Sequence, residues 1–232
     1  MKIGIFTDSH YSSAEISCSV RYNNKSLGKI KRALEHFENC NCDLIISLGD
    51  LTDTEQSHGL EIRNLEEIKA LFDKSDIPIY AVMGNHDGFD FGYEEFYSVL
   101  GEKYAPKTIS KDGKTLLFLD ACYYSDGEKY RRGRADWTDT YFPLCDSLKA
   151  ELSEADGDVF IFIHQSLDPD IEPNHRVNNA DEVCSVLARS GRVKTVYQGH
   201  YHPGAESIHD GIKYITFPAM CESEDAYFVI EI

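Results

Sequence analysis

The chain has 232 residues, 42% of them hydrophobic, and carries 40 Asp and Glu against 23 Lys and Arg, for a formal net charge of −17 and a pI near 4.8. This is the composition of a folded globular protein and excludes collagen-like and disordered classes. The acidic balance repels nucleic-acid backbone, so no duplex nucleic-acid partner is expected, and the apolar runs are too short to span a bilayer.

Along the chain, apolar runs alternate with helical patterns. Residues 2–6 read as a core strand, leaving no room ahead of them for a signal peptide. Leu27, Ile30, Ala33, Leu34 and Phe37 share one helical face between Ser26 and Phe37, with Ser26 as the expected cap. Residues 43–48 form an unbroken apolar strand, Leu60–Phe72 returns to helix, and residues 77–83 form the next strand. A short helix is expected over Tyr93–Leu100. A hairpin follows around Asp112-Gly113, between residues 108–110 and 115–120. After a polar and aromatic loop at 123–142 come a helix over Leu144–Leu152, a strand at 159–164, a helix over Ala180–Ala188, and strands at 193–198, 212–217 and 226–232. The alternation predicts an α/β protein, and tight turns such as Asp210-Gly211 predict antiparallel additions, hence mixed sheets. No linker or repeat interrupts it, so one domain over 1–232 is expected.

The seven cysteines (18, 40, 42, 122, 145, 184 and 221) are odd in number and lack a CxxC spacing. They read as reduced thiols in a cytoplasmic protein.

Five polar motifs stand where expected strands end: Asp8-Ser9-His10, Gly49-Asp50-Leu51-Thr52-Asp53, Gly84-Asn85-His86-Asp87, His164, and Gly199-His200-Tyr201-His202. In α/β sheets, ligands bind beyond the carboxyl ends of strands, so the motifs can converge on one site. Asp, His and Asn form an oxygen and nitrogen donor set that suits manganese, iron or zinc. There are enough donors for two ions, and one Asp can bridge a pair with its two oxygens. Two ions about 3.5–4 Å apart stabilise both the attacking and leaving oxygens of an in-line displacement at phosphorus.

The ordered set DSH, GDLTD, GNHD, His164 and GHYH resembles the calcineurin-like metallophosphoesterase superfamily over Phe6–His202. The resemblance implies a four-layer α/β/β/α sandwich of two mixed β-sheets flanked by helices. It implies a dinuclear-metal phosphohydrolase that uses a metal-bridging hydroxide. Asp8, His10, Asp50 and His202 would bind one ion. Asp50, Asn85, His164 and His200 would bind the other. His86 would protonate the leaving oxygen, Asp87 would orient His86, and Asp53 would support the ligands from behind. Thr54-Glu55 and Asp87 depart from the protein-phosphatase pattern. Residues 178–183, GHYHPG and Glu222 are similar to the cyclic-nucleotide phosphodiesterase and manganese-dependent ADP-ribose diphosphatase-like branch. A small nucleotide-like phosphodiester or pyrophosphate is therefore the expected substrate. A small-molecule phosphomonoesterase and a non-catalytic metal-binding scaffold are the alternatives. Gln165-Ser166 departs from the pattern after the lone histidine.

Three further readings concern the loops. Arg131, Arg132 and Arg134 form the dense basic cluster of an acidic chain and are candidates to grip a phosphate, or else to pair with Asp126, Glu128 and Asp136. The segment 11–25, with Tyr11, Arg21, Tyr22 and two Asn, is expected to help choose the substrate. His36, His58, His175 and His209 read as structural or surface residues, and Trp137 as packing for the long loop.

Overall fold

The computed structural model describes residues 1–134, 138–142 and 146–232, so Trp137, Cys145, Asp136 and the expected helix start at Leu144 lie outside the described residues. In chain order the elements are β1 (Lys2–Phe6), α1 (Ser26–Asn39), β2 (Leu44–Ser47), α2 (His58–Phe72), β3 (Ile79–Ala81), α3 (Asn85–Phe91), α4 (Tyr93–Leu100), β4 (Ile109–Lys111), β5 (Lys114–Leu119), α5 (Asp146–Glu154), β6 (Asp158–Ile163), α6 (Ala180–Ser190), β7 (Val193–Gln198), β8 (Ala205–His209), β9 (Ile212–Thr216) and β10 (Tyr227–Glu231).

The strands form two mixed sheets, ordered β10-β1-β2-β3 and β4-β5-β6-β7-β9-β8. β1, β2 and β3 run parallel, with β10 antiparallel at the edge. β5, β6, β7 and β9 run parallel, with β4 and β8 antiparallel at the two edges. The period of two along each strand assigns its side chains to layers. Ile3, Ile5, Leu44, Ile46, Leu116, Phe160 and Phe162 fill the space between the sheets. Phe6 and Ile45 face α1, α2 and α4, while Leu117, Leu119, Val159, Ile161 and Ile163 face α5 and α6. This is the four-layer α/β/β/α sandwich expected from the sequence. An aromatic row threads the inner layer: Phe118 and Phe162 stack at 5.3 Å, Phe162 and Tyr197 at 5.1 Å, and Phe217 meets Phe228 at 5.1 Å.

Three local expectations change. Ser26 does not cap α1, because a 3-10 turn at Asn23–Lys25 runs straight into the helix and places Ser26 inside it. α3 begins within the GNHD motif, where the sequence pattern predicts no helix. β8, the first arm of the hairpin closed by Asp210-Gly211, had no strand assigned to it. Among the described residues, no helix is long and apolar enough to cross a membrane, and the cysteines are free.

Candidate metal and phosphate site

The five motifs leave β1, β2, β3, β6 and β7 at their carboxyl ends. Backbone hydrogen bonds continue past the strands and lace these loops together. Asp8 N donates to Gly49 O (3.0 Å), His10 N to Asp50 O (2.9 Å), Gly199 N to His164 O (3.0 Å) and Cys221 N to Asp8 O (3.0 Å). Lys29, fully buried on α1, donates to Met220 O (2.9 Å) and Cys221 O (3.1 Å) and so pins the last of these loops from below.

The backbone is strained where the donors emerge. Asp8, His10, Asp50 and His200 have φ of 52°, 44°, 51° and 64°. The left-handed region costs a non-glycine residue about 1–2 kcal/mol and persists only where surrounding bonds over-determine it. Gly49 also sits at φ 103°, and a Cβ there would lie 2.7 Å from His164 Nδ1. At Gly84 a Cβ would run into Asp50 Oδ1 and the Asp50 backbone. Gly84→Ala is therefore expected to lower Tm by several degrees, as overpacking of about 1–3 kcal/mol does. Gly59→Ala, on α2 with nothing within 4 Å, is the control that a thermal melt should find neutral or slightly stabilising.

Two donor sets share Asp50. In the first, His10 Nε2 lies 3.6 Å from Asp50 Oδ2, 3.7 Å from Asp8 Oδ1 and 3.2 Å from His202 Nε2, and His202 Nε2 lies 3.4 Å from Asp8 Oδ1. In the second, His164 Nε2 lies 3.2 Å from both Asp50 Oδ2 and Asn85 Oδ1, and ligand atoms of Asp50, His164 and His200 fall within 4.8 Å of one another. Ligands about 2.1 Å from one ion stand roughly 3–3.5 Å apart, close to the 3.2–3.7 Å between the paired atoms of these sets. The rings are also oriented for the task. His164 Nδ1 donates to Leu48 O (2.7 Å) and His202 Nδ1 pairs with Glu222 Oε1 (2.6 Å), leaving each Nε2 facing the centre. Asp8 Oδ2 accepts from Thr7 Oγ1 (2.6 Å) and His200 N (3.0 Å), while buried Asp8 Oδ1 has no hydrogen-bond partner. An orphaned carboxylate oxygen amid converging nitrogens fits a cation.

The electrostatics agree. Burial opposes charge on the Asp50 carboxyl, but His164, His86 and His10 hold it well below the usual carboxylate range. Burial also opposes charge on His164 and His202, yet Asp50 lifts the first to about 9 and Asp8 lifts the second to about 11. Burial dominates at His10 and His200, which drop to about 4 and about 3. Clustered carboxylates demand positive charge, which protons or cations can supply.

His86 stands beside the first set, its ring 4.6 Å from that of His10. Its Nδ1 meets Asp53 Oδ1 at 3.0 Å. The expected contact with Asp87 is not made. Asp87 is the third residue of α3, so its side chain folds back onto backbone, accepting from Gly84 N (3.0 Å), Leu51 N (3.0 Å) and Thr52 N (3.2 Å). Burial and the nearby Asp50 charge push Asp87 up to about 7. Asp53 is steadied by Asn23 Nδ2 (3.1 Å) and lies 3.7 Å from Arg21 Nη1. Burial alone would lower the His86 pKa, but Asp50 and Asp53 raise it.

A cleft of about 460 Å³ opens over this centre, lined by Asp50, Asn85, His86, His200 and His202 together with Cys18, Arg21, His175, Tyr201 and Pro203. Arg21 brings the segment 11–25 to the cleft. His175, read as structural from the sequence, lines it instead, with its ring 5.3 Å from Tyr201. Cys221, which no motif signalled, offers Sγ within 4.8 Å of ring nitrogens of His10 and His202. Arg131, Arg132 and Arg134 do not reach the cleft. Arg131 and Arg132 line a separate pocket with Phe91 and Tyr93. Arg131 pairs with Glu128, Arg134 with Asp126 (3.6 Å), and Arg132 approaches Glu61 (4.0 Å). Gln165 and Ser166 are fully buried, against Cys122 Sγ and Gln198 Nε2 respectively, and do not line the cleft.

The chain belongs to the calcineurin-like phosphoesterase family, whose model matches residues 1–204. It is 24% identical over 185 residues to the "Probable cyclic nucleotide phosphodiesterase" of Fibrobacter succinogenes. It is 27% identical over 190 residues to the 3',5'-cyclic adenosine monophosphate phosphodiesterase CpdA of Haemophilus influenzae. These matches cover 75% and 79% of this chain but 63% of each relative, so the chain spans less than two thirds of their length. Among solved structures, a dimetal phosphatase from Danio rerio shares the fold, with a TM-score of 0.83 at 18% identity, covering 98% of this chain and 91% of that one.

Proposed function

We propose that the chain is a dinuclear-metal-dependent phosphohydrolase that cleaves a phosphodiester or pyrophosphate of a small nucleotide-like substrate. The observation that carries this reading is Asp50, a buried carboxylate within 3.6 Å of His10 in one donor set and 3.2 Å of His164 in the other. Asp8, His10, Asp50 and His202 would hold one ion, and Asp50, Asn85, His164 and His200 the second. Manganese, iron and zinc all suit these donors. Such ions, when bound, draw charge from phosphoryl oxygens and lower the pKa of coordinated water.

The remaining work falls to the chain. His86, held through Nδ1 by Asp53, presents its other ring nitrogen to the cleft and gives a proton to the leaving oxygen. Arg21 supplies the cleft with a cation suited to a second phosphoryl or ester oxygen. His175 and Tyr201 offer ring surface to an aromatic or sugar-like group. The names of the two phosphodiesterase relatives support the diester reading.

Hydrolysis of bis(p-nitrophenyl) phosphate and p-nitrophenyl phosphate, followed by 3',5'-cyclic nucleotides and ADP-ribose, with manganese and with chelator, tests it. Metal-dependent cleavage of the diester or the diphosphate is expected. Cleavage of the monoester alone would replace the substrate class, and failure on every diester and diphosphate would overturn the reading.

A further inference from the structure

We propose that the chain carries an additional divalent-metal site, built by Asp168, Asp170 and His209 and separate from the central cleft. Asp168 and Asp170 follow β6, and His209 ends the edge strand β8. One ligand atom from each lies within 4.8 Å of the others, and none of the three lines the cleft.

Two details go beyond a chance meeting of acids. Asp168 is fully buried; its Oδ1 accepts from Ser207 Oγ (2.7 Å) and Asp170 N (2.9 Å), while Oδ2 has no hydrogen-bond partner. A buried carboxylate oxygen left without a donor is costly, and a cation satisfies it. The second detail is the pair at the mouth. His209 Nε2 stands 3.1 Å from Asp170 Oδ1, yet it makes no aligned hydrogen bond. A ring nitrogen and a carboxylate oxygen this close, with no hydrogen bond between them, are within reach of one shared ion. The hydrogen bond from Ser207 orients Asp168 from behind, as outer partners orient metal-ligating carboxylates.

Two carboxylates and one neutral imidazole balance a divalent charge and suit zinc or manganese, with the open positions left to water. The three residues join the segment after β6 to β8, which otherwise ends the six-stranded sheet as an exposed edge. The bound ion would clip that edge to the loop.

Zinc is the probe. The chelator-stripped full chain, dialysed against zinc and analysed for metal, is expected to retain one more ion per chain than His209→Ala. Zinc at a hundredfold excess over Kd should raise the Tm of the wild type by roughly 5–10 °C more than that of the variant. The readout is the difference between proteins, so it is independent of how many ions the central cleft holds. Should His209→Ala not fold, Asp170→Asn on the exposed side of the site gives the same comparison. Equal zinc content and equal thermal shifts in wild type and variant would overturn the proposal.

Discussion

Asp50→Asn is expected to lower kcat/KM for the cleaved ester by at least about 10³-fold and to cost the protein at least one bound metal ion. Metal ions contribute several kcal/mol at a phosphoryl group, and each 1.36 kcal/mol is tenfold in rate. Asp50 is within reach of both donor sets: Oδ2 faces His10 and His164, and Oδ1 accepts from His86 N at 2.8 Å. The asparagine keeps the shape and one oxygen but puts an amide where a negative charge stood. Steady-state kinetics with metal analysis of the same preparation checks this. Circular dichroism of that preparation checks that the variant is folded. Activity within tenfold of wild type would show that Asp50 bridges nothing of consequence.

The second large effect separates two carboxylates that the sequence does not distinguish. His86→Ala should lower kcat by about 10²–10⁴-fold with metal content unchanged, the range for a lost general acid. Asp53→Asn should lower kcat by about 10–100-fold, because the His86 ring loses the carboxylate bonded to Nδ1. Asp87→Asn should act chiefly on stability. It weakens acceptance of three backbone N–H groups from Gly84, Leu51 and Thr52, at about 1–3 kcal/mol. A thermal melt would register that as a Tm lower by several degrees. The reverse ranking, with Asp87→Asn worse for kcat and Asp53→Asn nearly silent, would return the orienting role to Asp87.

The legible parts of the sequence were those where burial acts on runs of residues. β2 and β6 are buried on both faces, so they read as continuous apolar runs, and α1 shows its inner face at helical spacing. The five motifs were placed by the ends of such strands. What escaped depends on tertiary contact. α3 is seven residues long, and its one local mark is the Asp87 carboxylate returning to Gly84 N; the rest of its anchorage is tertiary, through Leu51 N and Thr52 N. β8 is an edge strand with Ile208 68% exposed, and its alternation faces no deep core. The positive φ angles at Asp8, His10, Asp50 and His200 carry no composition signal, because glycine is absent there. The resemblance implied Asp87 as the partner of His86, but the first turn of a helix sends neighbouring side chains in different directions. The arginine cluster shows that a dense charge signal says nothing of position: a single Arg21, in a segment without a motif, reaches the cleft.

Everything in the proposed chemistry turns on a pair of metal ions sharing Asp50. The most direct test is a manganese titration of the metal-stripped His209→Ala protein, followed by electron paramagnetic resonance and by activity on the cleaved ester. Two manganese ions should bind per chain with an exchange-coupled signal, activity should rise as the coupled signal grows, and Asp50→Asn in the same background should abolish the coupling. A single bound ion, or two uncoupled ions with activity already complete at one equivalent, would contradict the account.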